Sequence, residues 1–455
     1  MKKIVFFIMA LAMSATMMAE DHVMAATKGS KPSDVSSQPT SLSLSLKEAQ
    51  DYAVKQNRTL KNASLAVQEA YAARWQTIAA MLPQVDGSYS YSNYLGYTAS
   101  MSMPTGMPAP NDTRTIDINM PNVGAWGITA SVGLNGQGIV GALLNNIAID
   151  MKKIALEQSE SQLRGSVMGS YVSVLALQSI SDLLDSSLVN IQELETITRY
   201  AVEAGAAEQT SADQIRVRVN TIKNNINAQK RTIELATNSL KVLLDVPVET
   251  ELTLTEDLAT VLAPDRVVAL LGENFILENN LNYQLLKKNV ELAQKNVAMA
   301  AVAYGPTVSL AYNYTDQHYY GDGGMRMTPP NVVQVSVRMP LWSSGKRAAG
   351  VVEKKIALEE ARNTLSETTD NLAIQYRQLC FNLTNAYETY INEKDNIEVS
   401  QRVFNSATEK FKWGASSNLE LTNASNDLIN AQSTYVQAML ELVNAQVELE
   451  EFLNN

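Results

Sequence analysis

Two Met-x-Met pairs are the residues closest to a metal-binding pattern: Met101-Ser102-Met103, with Met107 nearby, and Met325-Arg326-Met327. Paired thioethers are soft donors that suit Cu(I). Against that reading, the chain holds 18 methionines throughout, and both pairs fall in stretches read as strand-connecting loops, where variation is tolerated. No metal or other cofactor is expected. Catalysis is not expected either. The histidines are His22 and His318, and the one cysteine is Cys380. With His318 read as a surface-loop residue, a Ser/His/Asp triad has no base. Asp322-Gly323-Gly324 and Gly136-Gln137-Gly138 are turn signals, because neither has the lysine spacing of a phosphate-binding loop. The chain does not read as an enzyme.

The elements carrying these residues follow from composition and pattern. The chain has 455 residues and a formal net charge of −11, which argues against nucleic acid as a partner. Residues 1–25 read as a secretory signal. Lys2 and Lys3 precede an apolar stretch from Ile4 to Met13, with cleavage expected after Ala19 or Ala25. Residues 26–45 read as a flexible tether rich in Ser, Lys, Pro and Thr. Beyond the leader no run of 18 apolar residues is found, so no transmembrane helix is expected.

The remainder is a tandem duplication. Repeat one is 46–245, repeat two is 266–455, and 246–265 connects them, with Leu252-Thr253-Leu254 read as a short strand. Each repeat reads helix, strand, strand, long helix, helix. Strands are expected at 84–97, 122–135, 307–319 and 331–342. Long helices are expected at 138–204 and 345–413, and returning helices at 208–244 and 417–453. Pro83 and Pro306 end the first helix of each repeat. Gly205 and Gly414 end the long helices as left-handed C-caps.

The strand stretches alternate apolar and polar residues. Trp126, Ile128, Ala130, Val132 and Leu134 oppose Gly127, Thr129 and Ser131, and Val333, Val335 and Val337 oppose Gln334, Ser336 and Arg338. Tyrosines gather towards the strand ends, as in a membrane girdle. The helices carry seven-residue spacing instead: Leu421, Leu428, Tyr435, Leu442 and Leu449, echoed by Ala212, Val219, Ile226, Ile233 and Leu240. That is coiled-coil spacing. At 1.5 Å per residue the long helices would be ~100 Å long and the returning ones ~55 Å. The pattern gives an α+β membrane protein, with a long antiparallel coiled coil and strands at one end. Four strands are too few to close a transmembrane barrel, whose smallest examples have ~8. Assembly is therefore expected, and a homotrimer would supply twelve strands.

The duplicated order resembles the TolC-like outer-membrane efflux proteins. The resemblance is carried by Leu-Pro-Gln-Val-Asp-Gly-Ser-Tyr at 82–89, by Met-Pro-Leu-Trp-Ser-Ser-Gly-Lys-Arg at 339–347, and by the segments 199–205 and 411–414. It implies a homotrimer in outer-membrane lipid whose helical tunnel crosses the periplasm. A periplasmic adaptor and an inner-membrane pump would dock on the helical tips, and small molecules such as drugs and toxic compounds would pass through. Gly205, Ala206, Gly414 and Ala415 become adaptor-contacting tips. Counting from the tip glycines makes Glu420, Asn423 and Ser211 periplasmic gate residues, with one ring of acids rather than two because Asn423 and Ser211 are neutral. A type I protein-secretion conduit stays open as an alternative. A periplasmic coiled-coil scaffold without a pore is the third reading, and the polar strand face weighs against it, since only a water-filled lumen needs one.

Overall fold

The computed structural model describes residues 41–104, 113–205, 207–258, 264–320 and 329–454. The leader, residues 26–40 of the expected tether, His22, Met107, Ala206, Asp322-Gly323-Gly324 and Met325-Arg326-Met327 lie outside the described residues.

In chain order, β1 (Ser41–Leu44) leads into α1 (Leu46–Gln56) and α2 (Arg58–Ala79). Four strands follow: β2 (Gln84–Ser92), β3 (Thr98–Pro104), β4 (Thr113–Asn119) and β5 (Asn122–Leu134). The long helix α3 (Gly136–Glu203) and the returning helix α4 (Gln209–Leu243) complete the first repeat. The connector holds β6 (Glu251–Leu254), and then come α5 (Pro264–Gly272), α6 (Leu281–Val302), β7 (Thr307–Tyr320), β8 (Asn331–Arg338), α7 (Lys346–Lys412) and α8 (Asn418–Asn454). The chain forms two compact units, and α3 and α7 each contribute to both.

The first unit, built from 68–150 and 289–361, holds an antiparallel sheet in the order β2-β5-β7-β8. Its central pair joins the repeats: β5 of repeat one lies against β7 of repeat two from Asn122↔Tyr320 to Leu134↔Val308. Three expectations change here. The strand expected at 84–97 stops at Ser92, because Leu95 (φ 54°) and Gly96 (φ 77°) are both left-handed. With Tyr97 N–H donating to Tyr94 O (3.0 Å), this is a type I′ turn. Beyond it, β3 and β4 form a separate hairpin. Met101-Ser102-Met103 is thus in a strand and not a loop. His318 likewise belongs to β7 rather than to a surface loop.

The second unit, built from 30–67, 151–288 and 362–455, is helical with one small sheet. Ser41–Leu44, expected in the tether, is a strand that pairs in parallel with β6. Its partner lies about 210 residues away along the chain, so no local pattern announces it. The expected single first helix of each repeat is also broken. Asn57 interrupts repeat one: its Oδ1 accepts from Thr59 N (2.8 Å) and its Nδ2 donates to Leu243 O (3.0 Å). Asn280 does the same in repeat two, accepting from Tyr283 N at 3.0 Å. Both side chains are buried, and each satisfies orphan amides at a helix start.

The core of this unit falls into two clusters. One gathers Tyr171, Val172 and Leu175 of α3 with Leu240, Leu383, Leu442 and Leu449. The other gathers Ile191 and Leu194 with Ile215, Val219, Ile222 and Ile226 of α4, Phe404 of α7 and Leu421 and Leu428 of α8. The heptad positions are therefore the packed ones. Helix α3 does contain an 18-residue window of mean hydropathy 1.3, long and apolar enough to cross a membrane. Of that window 39% is buried, and Val167, Met168, Tyr171, Val172, Val174 and Ala176 of the same helix are core.

Candidate channel faces and helical tips

Register turns the strand alternation into two chemically distinct sheet faces. Cross-strand partners share a face. One face stacks Val85, Ala130, Tyr312 and Val333 in one row, and Val132, Leu310 and Val335 in another. Its far rows are aromatic and polar: Tyr89, Trp126 and Asp316, then Tyr91, Gly124 and His318. Trp126 meets Tyr314 edge-on at 5.3 Å, and Tyr91 meets Tyr320 at 5.8 Å. Gly124 has no side chain for a reason. A Cβ there would sit 3.2 Å from the Tyr320 ring, so the glycine lets the ring approach the strand closely. The opposite face carries Asp86, Ser88, Thr129, Asn313, Gln334 and Ser336, with Thr129 Oγ1 donating to Asn313 Oδ1 at 2.9 Å. Among the described residues nothing covers the apolar face at β8: Val333, Val335 and Val337 are each about two-thirds exposed.

At the other functional candidate, both tip glycines are left-handed, with φ 69°. Gly414 N–H donates to Phe411 O (3.0 Å) and Ala415 N–H to Lys410 O (2.8 Å), the paired bonds of a Schellman cap. Gly205 N–H donates to Val202 O (3.0 Å) and Ala207 N–H to Ala201 O (3.2 Å). After Gly414, Ser417 Oγ accepts from Glu420 N–H (3.2 Å), and the Glu420 carboxylate accepts from Ser416 Oγ–H (2.7 Å). Glu420 thus has a local role in starting α8. It and Asn423 line one open groove with Arg402, Lys410 and Asp427. Ser211 does not line that groove. It is half-buried on α4, with its N–H donating to Glu208 O at 3.0 Å.

Sequence reasoning missed two cations near these tips. Lys412 bridges from α7 to Glu193 of α3 (2.9 Å) and also holds Glu409 (3.0 Å); both carboxylates raise its pKa. Arg218 of α4 donates Nη1 to Thr422 O of α8 (3.3 Å), and burial lowers its pKa. The available signal for Arg218 was its place directly before the packed Val219, beside the seam.

Residues 274–455 match the family model described as outer membrane efflux protein. Over that stretch the chain is similar to the outer membrane efflux proteins. Among similar proteins, the probable efflux pump outer membrane protein TtgC of Pseudomonas putida is 22% identical, aligned over 65% of this chain and 61% of its own length. The outer membrane efflux protein BepC of Brucella suis is 23% identical, over 65% of this chain and 63% of its own. The chain therefore spans under two thirds of the length of these relatives. The fold agrees over more of it. The outer-membrane channel OprN superposes with a TM-score of 0.70 at 16% identity, covering 90% of this chain and 89% of that one. VceC of Vibrio cholerae gives 0.69 at 13% identity, covering 90% and 96%.

Proposed function

We propose that three copies of this chain close their four-stranded sheets into one twelve-stranded transmembrane barrel, and that the assembly is the outer-membrane channel of a tripartite efflux system. The observation that carries the reading is the open sheet with one exposed apolar face and one polar face. Among the described residues, β2 and β8 each lack a partner on one side. Unpaired edges are not tolerated in lipid, because no water satisfies their amides and carbonyls. Closure against further copies satisfies them, and it turns the apolar face to lipid and the polar face to a water-filled lumen. Closed cyclic symmetry is also the default for homo-oligomers.

In this reading the helical tips meet a periplasmic adaptor through the turns at Gly205-Ala206 and Gly414-Ala415, and substrate arrives from an inner-membrane pump. Glu420 forms the one acidic ring at the periplasmic gate, with Asn423 and Ser211 as neutral neighbours. The cargo is a small molecule. The names of similar proteins support this, since they speak of antibiotic, toluene and solvent efflux. The deciding experiment is the mass of the protein extracted from outer membranes in mild detergent. A trimer with full β content supports the reading, and a stable monomer with the same β content overturns it.

A further inference from the structure

The segment between β8 and α7 is built differently from its counterpart in repeat one. Met339, Leu341 and Trp342 follow the exposed Val337 and stand 61%, 87% and 86% exposed. A fully exposed tryptophan and leucine side by side are costly in water. The backbone holds them out: Ser344 (φ 47°) and Gly345 (φ 81°) are both left-handed, and Lys346 N–H closes the turn on Ser343 O at 2.9 Å. Ser344 is one of few non-glycine residues in this conformation, so the turn is held at some local cost.

Two cations follow at once. Lys346 is exposed. Arg347 donates Nη1 to Pro340 O at 3.0 Å, and its guanidinium lies 5.4 Å from the centre of the Tyr304 ring. The ring and the carbonyl fix the guanidinium beside the exposed apolar pair while leaving further N–H donors on it. Neither cation forms a salt bridge among the described residues. In repeat one the matching stretch is Asn135-Gly136-Gln137-Gly138-Ile139-Val140, with neither aromatic nor cation. The duplication thus carries this device once.

We infer that Trp342, Lys346 and Arg347 form a binding site for the phosphate headgroup of an anionic phospholipid in the periplasmic leaflet. The inference rests on the proposed lipid contact of the sheet's apolar face, whose exposed Val333, Val335 and Val337 are followed within five residues of the chain by the exposed Met339, Leu341 and Trp342. An indole at the headgroup level, flanked by basic side chains, anchors a membrane protein at its interface. Cations near a charged leaflet add attraction for anionic over zwitterionic lipid. The chain's overall charge of −11 would repel such lipid, so the local pair supplies the complementarity.

The test uses the full-length protein reconstituted in vesicles of phosphatidylcholine, alone or with phosphatidylglycerol. Tryptophan fluorescence is read with one lipid dibrominated on its acyl chains. Dibrominated phosphatidylcholine is expected to quench a component that disappears in Trp126→Phe, which reports the apolar sheet face alone. Dibrominated phosphatidylglycerol is expected to quench a component that disappears in Trp342→Phe, at lower mole fraction than phosphatidylcholine needs. Lys346→Gln with Arg347→Gln should erase that preference, by about fivefold per cation. Arg347→Lys should retain most of it, which covers the case where the double variant fails to assemble. Quenching of Trp126 without any anionic preference at Trp342 overturns the headgroup site and leaves the barrel reading intact. No quenching of Trp126 by either lipid overturns the barrel reading itself. A Trp342 shielded from both lipids while Trp126 is quenched would mean that a second copy covers the segment, and it too would overturn the site.

Discussion

The hydroxyl of Tyr171 donates to the backbone carbonyl oxygen of Leu44 across 3.0 Å. The phenolic oxygen also accepts from Glu256 N–H at 3.3 Å, and Leu44 O accepts in addition from Thr255 N–H at 3.1 Å. One fully buried side chain of α3 therefore ties the end of β1 to the residues leaving β6. Burial raises the pKa of the phenol, which keeps it a donor. Tyr171→Phe would leave the Glu256 amide without its partner, at a cost of about 1–3 kcal/mol. The expected outcome is a lower thermal midpoint by circular dichroism in detergent, with the oligomer unchanged. An unaltered midpoint would show that the hydroxyl contributes nothing.

The sheet faces give a paired prediction. Val335 and Ser336 are adjacent on β8 and point to opposite faces. Val335→Arg should impair membrane assembly, by about 2–4 kcal/mol if the site lies near the bilayer midplane. Ser336→Arg should assemble normally. Outer-membrane yield of folded protein reads the difference, and equal yields would remove the sheet from lipid. Thr129 is a poorer control than Ser336, because its hydroxyl bonds Asn313.

At the tip, charge and capping can be separated at Glu420. Its carboxylate accepts from Ser416, and an amide oxygen can do the same. Glu420→Gln should therefore keep the start of α8 while removing the charge. Three such carboxylates near one axis would repel each other and hold a cation between them. Conductance in a planar bilayer should show weaker block by divalent cations in this variant, with the trimer intact. Unchanged block would place the constriction elsewhere.

Arg164 supplies an acid-dependent link. It bridges Asp51 at 2.9 Å and Glu160 at 3.0 Å, and its hydrogen bond lowers the Asp51 pKa below the ordinary 3.8. A carboxyl with a depressed folded-state pKa contributes stability above its unfolded value and loses it as pH falls through the folded one. The effect is small, because both side chains are well exposed to screening solvent. Wild type should melt slightly above Asp51→Asn at neutral pH, and the gap should close below about pH 4. A gap that persists in acid would mean that the asparagine perturbs packing instead.

The long helices and the strands were legible in sequence because they rest on periodicity. Seven-residue spacing places Leu421, Leu428, Leu442 and Leu449 on one side of α8, and each is buried. Alternation assigns Val335 and Ser336 to different faces whatever the neighbouring strand. Gly205 and Gly414 announce their turns because only glycine is at ease in that conformation.

What the tertiary structure decided is pairing over distance. That β5 lies against β7, joining the two repeats, does not follow from alternation, which is the same for every strand. Ser41–Leu44 is four residues of serine and leucine within a polar stretch, and it is a strand because β6 offers an edge about 210 residues later. Asn57 and Asn280 read as ordinary helix interior, yet each ends up buried where amides need a partner. A short segment has too little intrinsic preference to fix its own state, so the long-range hydrogen-bond partner fixes it.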